Sequence, residues 1–167
     1  MNILKIIAVG ALVAVAGCQN ADRFGAGGET AGQTGAFGPG SVGDPTSPAY
    51  FNQAIGDRVL FAVDQSTLSP EATAILTGQA DWLNNNTAYS ALIEGHADEQ
   101  GTREYNLALG ARRAAEVQNF LISRGVSPSR LTTISYGKER PIEVCSTEAC
   151  YSQNRRAVTV ITAGAGV

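Results

Sequence analysis

The chain is predicted to fold as an α/β (α+β) sandwich, with helices packed on one mixed four-stranded sheet in the order β-α-β-α-β-(short helix)-β. Three observations predict this. Short runs rich in β-branched residues alternate with stretches of helical periodicity, and capping residues and glycines punctuate the junctions. In addition, eight of the 19 glycines fall between Gly25 and Gly43. That leaves a foldable unit of roughly 110 residues, one domain by size.

Residues 58–63 (R-V-L-F-A-V) form the first strand candidate. Ser69 followed by Pro70 reads as a cap and first helical position. Ile75, Leu76, Gln79, Ala80, Trp82 and Leu83 then recur at helical spacing until Asn84, Asn85 and Asn86 stop the run. A second strand spans 89–95. A long helix runs from about Thr102 to Arg124, with Gly125 placed for a left-handed C-terminal cap. Residues 131–136 and 157–162 supply the last two strands.

The N-terminal end carries its own signal. Met1 to Lys5 give a short positive start and Ile6 to Ala16 an apolar run. At about 1.5 Å rise per residue that run is far too short for ~30 Å of hydrocarbon, so it reads as a secretory segment. Val15-Ala16-Gly17-Cys18 resembles a bacterial lipobox. The resemblance implies a lipoprotein signal peptide over 1–17, cleavage before Cys18, and lipidation there. Gln19 in place of aspartate favours the outer membrane. Residues 18–51, rich in Gly, Ser, Thr and Pro, read as a flexible tether, and 52–167 as the folded domain.

Composition excludes several classes. Twelve Lys and Arg stand against 15 Asp and Glu, with no long basic run, which argues against nucleic-acid binding. One histidine and three scattered cysteines do not make a zinc site of four protein ligands. Cys145 and Cys150, in an exported and therefore oxidising setting, are expected to form a disulfide closing a short loop, contributing about 2 kcal/mol.

One residue of the long helix is anomalous. At 100° per residue, Leu109, Val117 and Phe120 lie within an arc of about 80°, and Arg113 falls in its middle. A guanidinium there needs a partner: either it pairs permanently within the protein or it faces a ligand. Asp98 lies in the acidic loop just before the helix, where the dipole favours carboxylates. His96, alone at a strand end, is expected to have a structural hydrogen-bonding role.

The run G-H-A-D-E-Q-G-T-R-E-Y-N-L-A-L-G-A-R-R-A-A-E-V from Gly95 to Val117, with S-Y-G-K-E-R-P from Ser135 and Q-N-R-R-A-V from Gln153, resembles the OmpA-like C-terminal domain family over about residues 50–162. Lipobox and tether point to its lipid-anchored, peptidoglycan-associated branch. The resemblance implies a non-enzymatic module that binds peptidoglycan through the diaminopimelate of the stem peptide. It would anchor the outer membrane to the wall within the Tol system, with the periplasmic β-propeller TolB as partner and TolA as a second candidate, and serve envelope integrity and constriction at cell division. No cofactor is implied beyond the lipid on Cys18.

The family's site residues fall on Asp98, Arg113 and Asp64. Arg113 would clamp the diaminopimelate carboxylate, while Asp98 attracts the ammonium and orients the guanidinium. Asp64 would be a third wall, with Val63 standing where the family has an aromatic. Leu107, Ala108 and Leu109 would supply nearby walls. The resemblance does not imply the cysteine pair. On this reading Arg113→Ala leaves a folded domain, since it removes a charge from an apolar stripe. The competing reading, a wall-degrading hydrolase using His96, Asp98 or Glu94, is disfavoured: it needs two positioned carboxylates around a sugar, or a metal that one histidine cannot hold.

Overall fold

Ser69 caps the helix that Pro70 begins: in the computed structural model, which describes residues 38–163, its hydroxyl accepts from the Ala72 amide at 3.1 Å. Eight elements follow one another, α1 (Pro48–Tyr50), β1 (Arg58–Leu60), α2 (Pro70–Asn85), β2 (Tyr89–His96), α3 (Arg103–Ser123), β3 (Leu131–Gly137), α4 (Glu148–Asn154) and β4 (Arg156–Ala163). The sheet order is β1-β4-β2-β3; β2 and β3 run parallel and the other pairs antiparallel. The expected mixed sheet and element order are both present. The signal segment, Cys18 and most of the tether lie outside the described residues.

The long helix starts and stops as its sequence dictates. Thr102 Oγ1 accepts from the Tyr105 amide, and Gly125 takes a left-handed φ of 94° just past the last turn. Leu109, Ala114, Val117 and Leu121 bury one face of α3 against β2 and β3. On α2, Leu76, Ala80 and Leu83 close the same core with Val59 and Ile93. Both helices thus lie over one face of the sheet, and the ends of β1 and β2 open at one rim.

Two boundaries differ from the expectation. The tether ends before residue 51: Ser47 caps α1, the chain continues as a π-helical turn Phe51–Gly56, and Phe51 is fully buried against Trp82. Trp82 Nε1 donates to the Pro45 carbonyl at 2.7 Å, and Gln79 Nε2 to that of Gly56 at 2.7 Å. Aromatic burial and these side-chain bonds order a segment whose Pro and Ser content looks like linker.

The first strand is also shorter than 58–63. It stops at Leu60 because the chain turns: Gln65 N donates to Ala62 O, and Asp64 sits at φ 56°. Asp64 is the one non-glycine residue in the left-handed region among the described residues, a conformation its short polar side chain tolerates. Phe61 N still donates to Arg155 O at 2.8 Å, which ties the turn to the start of β4.

Candidate functional site

The rim where β1 and β2 end holds a cleft of about 190 Å³. Its floor is Arg113 and Leu109 from α3; Asp98, Gln100 and Gly101 come from the loop after β2; Val63 and Asp64 come from the turn after β1. Tyr105 and Asn106, from the first turn of α3, complete it. Four of the expected residues, Asp98, Arg113, Asp64 and Leu109, therefore share one cleft.

Arg113 has no solvent exposure, and its partners differ from the expected one. Nε donates to Gln65 O at 2.8 Å, Nη1 to His96 O at 2.7 Å and Nη2 to Ala62 O at 3.2 Å. The Phe61 ring lies 5.1 Å from the guanidinium carbon. Three of the five donors of a guanidinium are thus satisfied by backbone carbonyls, leaving two. Burial pulls its pKa down to about 10, partly offset by the charge of Asp98, so it stays cationic at neutral pH.

Asp98 does not orient that guanidinium by a direct bond. Its Oδ1 accepts from Gln100 N at 3.1 Å, and its Oδ2 from Nη1 of Arg155 at 3.2 Å. Arg155 is itself shared with Glu148, at the start of α4, through two hydrogen bonds. That contact raises the Arg155 pKa and holds Glu148 below the usual carboxylate range. Counting Asp64, Asp98 and Glu148 against Arg113 and Arg155, the cluster carries one net negative charge. Asp64, which is exposed, accepts a hydrogen bond from Tyr105, and that bond pushes the phenol's pKa up.

Two of the expected walls are misplaced. Ala108 is exposed and does not line the cleft, because it sits 100° around the helix from Leu109. Leu107 is 45% exposed; its backbone instead backs onto Gly137, and its carbonyl accepts from Ser135 Oγ at 2.6 Å. His96 is buried, yet neither ring nitrogen has a hydrogen-bond partner. Its ring contacts Tyr136, with Glu94 Oε2 3.6 Å from Nε2. Its structural contribution comes through packing and through the carbonyl given to Arg113, not through the expected side-chain hydrogen bonds.

Sequence reasoning missed Tyr105, Gln100, Asn106 and Arg155. Asn106 was findable, since it falls inside the same arc as Arg113, and its Nδ2 secures the loop by donating to Gln100 O at 2.7 Å. Cys145 and Cys150 are bonded, with Cα atoms 5.8 Å apart.

The chain matches the OmpA family over residues 60–155. The peptidoglycan-associated lipoprotein of Mesorhizobium japonicum is 51% identical, covering 96% of this chain and 92% of that one. That of Haemophilus influenzae is 40% identical over 92% of this chain and 94% of its own. The chain belongs to the OmpA family, among its peptidoglycan-associated lipoproteins.

Solved structures of the OmpA-like fold agree. The peptidoglycan-associated lipoprotein from Burkholderia pseudomallei superposes with a TM-score of 0.65 at 36% identity, covering 72% of this chain and 98% of that one. The C-terminal domain of Helicobacter pylori MotB, at 22% identity and a TM-score of 0.60 over 65% of this chain and 86% of its own, shares the fold.

Proposed function

We propose that this OmpA-family chain binds peptidoglycan non-covalently, taking the zwitterionic end of the stem-peptide diaminopimelate into the cleft between Asp98 and Arg113. The observation that carries this reading is a fully buried arginine with unspent donors in the same small cleft as a buried carboxylate. A carbon bearing both an ammonium and a carboxylate needs such a pair: Arg113 offers the fixed donors, and Asp98, whose partner Arg155 is shared with Glu148, draws the ammonium. The names of its relatives support the coarser part of this reading, association with peptidoglycan. The lipid on Cys18 would tie the domain to the outer membrane, and Tol proteins would be its exchangeable partners.

The chain acts by binding and not by cleavage. Two-carboxylate hydrolysis needs one protonated acid and one free base placed about a sugar bond, whereas both carboxylates of the cleft are already engaged as acceptors, Asp98 with Arg155 and Gln100 N and Asp64 with the Tyr105 hydroxyl. Sedimentation of the full chain with diaminopimelate-type sacculi tests the proposal, with Asp98→Asn and Arg113→Lys beside the wild type and circular dichroism confirming fold. Wild-type binding reduced at least tenfold in Asp98→Asn supports it; equal binding overturns the site. Release of soluble muropeptides would overturn the binding-only reading.

A further inference from the structure

Three side chains from the bridged loop and α4 grip the residues beside the proposed ligand. Glu148 holds Arg155, whose Nη1 reaches Asp98 Oδ2 at 3.2 Å. Ser146 Oγ and the Tyr151 hydroxyl both donate to Glu99 Oε1 at 2.8 Å, which lowers the Glu99 pKa. The loop carrying Ser146 and Glu148 lies between Cys145 and Cys150; residues 141–149 are exposed, Val144 at 88%, and the stretch just before the bridge is anchored by buried Asn154, which accepts from Ile142 N and Glu143 N and donates to Glu143 O. Exposed hydrogen bonds and ion pairs of the kind that Ser146 and Glu148 make hold a flexible loop weakly. Between that anchor and α4, the covalent bond further narrows the conformations open to residues 146–149.

We propose that the Cys145–Cys150 bridge, Glu148 and Arg155 form one positioning unit, which sets the Asp98 carboxylate for the ligand's ammonium and makes affinity at this site depend on the oxidation state of the bridge. The inference rests on the diaminopimelate reading of the cleft. Glu148 has a specific part in it. Without that second acid, Arg155 would form a closed pair with Asp98 and neutralise the charge the ammonium needs; with it, the guanidinium is shared. Pre-ordering the loop removes an ordering cost from the binding step.

A dithiol reductant is the natural probe: it cleaves the S–S bond, leaves a thiol on each cysteine, and is itself oxidised to its disulfide. The experiment is a calorimetric titration of the full chain in detergent with the tripeptide L-Ala-γ-D-Glu-meso-diaminopimelate, and with the same peptide acetylated on its side-chain amine. The proteins are wild type, wild type reduced by dithiothreitol, the double variant Cys145→Ser/Cys150→Ser, Glu148→Gln, and Arg155→Lys beside Arg155→Gln.

The expected result is a loss of about threefold to tenfold for the free-amine peptide in the reduced protein, the cysteine variant and Glu148→Gln. Reoxidation should restore the wild-type value, and Arg155→Lys should bind better than Arg155→Gln. The acetylated peptide, lacking the ammonium, should bind all of them alike. A merely structural role predicts equal losses for both peptides, and that result would overturn the positioning unit. Wild-type affinity in the cysteine variant and in Glu148→Gln would also overturn it while leaving the cleft assignment intact. No binding of either peptide by the wild type would overturn the cleft assignment, and this inference with it.

Discussion

Gly95 of β2 and Gly110 of α3 touch backbone to backbone: a Cβ placed on Gly95 would stand 1.8 Å from the Gly110 carbonyl oxygen. The contact sets the height of α3 over the sheet. One turn further along, Arg113 reaches the carbonyl of His96, the residue after Gly95. The depth of the arginine in its cleft is therefore set by the absence of two side chains elsewhere.

Gly95→Ala tests this dependence. The added methyl meets backbone, which cannot swing aside, so α3 must lift off β2. Destabilisation of about 3 kcal/mol or more is expected, with loss of Arg113 function in whatever fraction remains folded. Urea unfolding reads it; an unchanged midpoint would mean that the helix is not held at this height.

Arg113→Met should be strongly destabilising, by about 3–5 kcal/mol, because the carbonyls of Ala62, Gln65 and His96 lose their donor together. This reverses the expectation, drawn from the apolar stripe alone, that Arg113 could be removed without harm to the fold. Thermal melts of Arg113→Met beside Asp98→Asn separate the cases, since Asp98→Asn should stay within about 2 kcal/mol of wild type.

His96 predicts an acid sensitivity. Burial, and then the charges of Arg156 and Arg140, lower its pKa from 6.5 to about 4. The unfolded chain thus binds a proton that the folded chain refuses across that interval. Stability from this source is complete above pH 6.5 and falls as pH drops toward 4, by about 3 kcal/mol in all. His96→Gln should remove that slope, so the wild-type minus variant difference in unfolding free energy should shrink steadily from pH 7 to pH 4; a flat difference would contradict the assignment.

Trp82→Phe should loosen the N-terminal helical segment. The substitution keeps an aromatic near Phe51 and Tyr89, 5.0 and 5.2 Å away in ring centroids, but removes the bond to Pro45 O. A loss of about 1–2 kcal/mol is expected, together with faster hydrogen exchange over residues 45–56 than in β2. Uniform acceleration across the domain would argue that this segment is not a separate unit of opening.

Much of the fold was legible because local signals and global packing agree. Ser69 and Gly125 act where their chemistry places them, and the periodic stripes of both long helices are the ones that bury. Residues 47–56 were hidden because Pro and Ser mask a segment ordered only by distant partners, Trp82 and Gln79. At the site, spacing exposed the misplaced charge of Arg113 but not its acceptors. The carbonyls of residues 62, 65 and 96 converge only in three dimensions, and no side-chain pattern announces a backbone acceptor. Arg155 was missed for a related reason: its link to Asp98 spans 57 positions in the chain.

The chain is pinned at Pro45 onto Trp82, whose ring abuts Tyr89, the first residue of β2, whereas Asp98 lies two residues past its last. Attachment and cleft thus stand at opposite ends of one eight-residue strand, about 23 Å apart along it. The covalent path from Pro45, however, does not enter β2: it runs through residues 46–57 into the three-residue edge strand β1. A pull on residue 45 against residue 98 would break the Trp82 contact, then peel β1 from β4, and only afterwards load the pairs that join β2 to β3 and β4. Single-molecule stretching should show a low-force release of residues 45–60 ahead of the main rupture. In mechanical terms the domain carries a yielding leader in front of a sheet whose central strand bears load last.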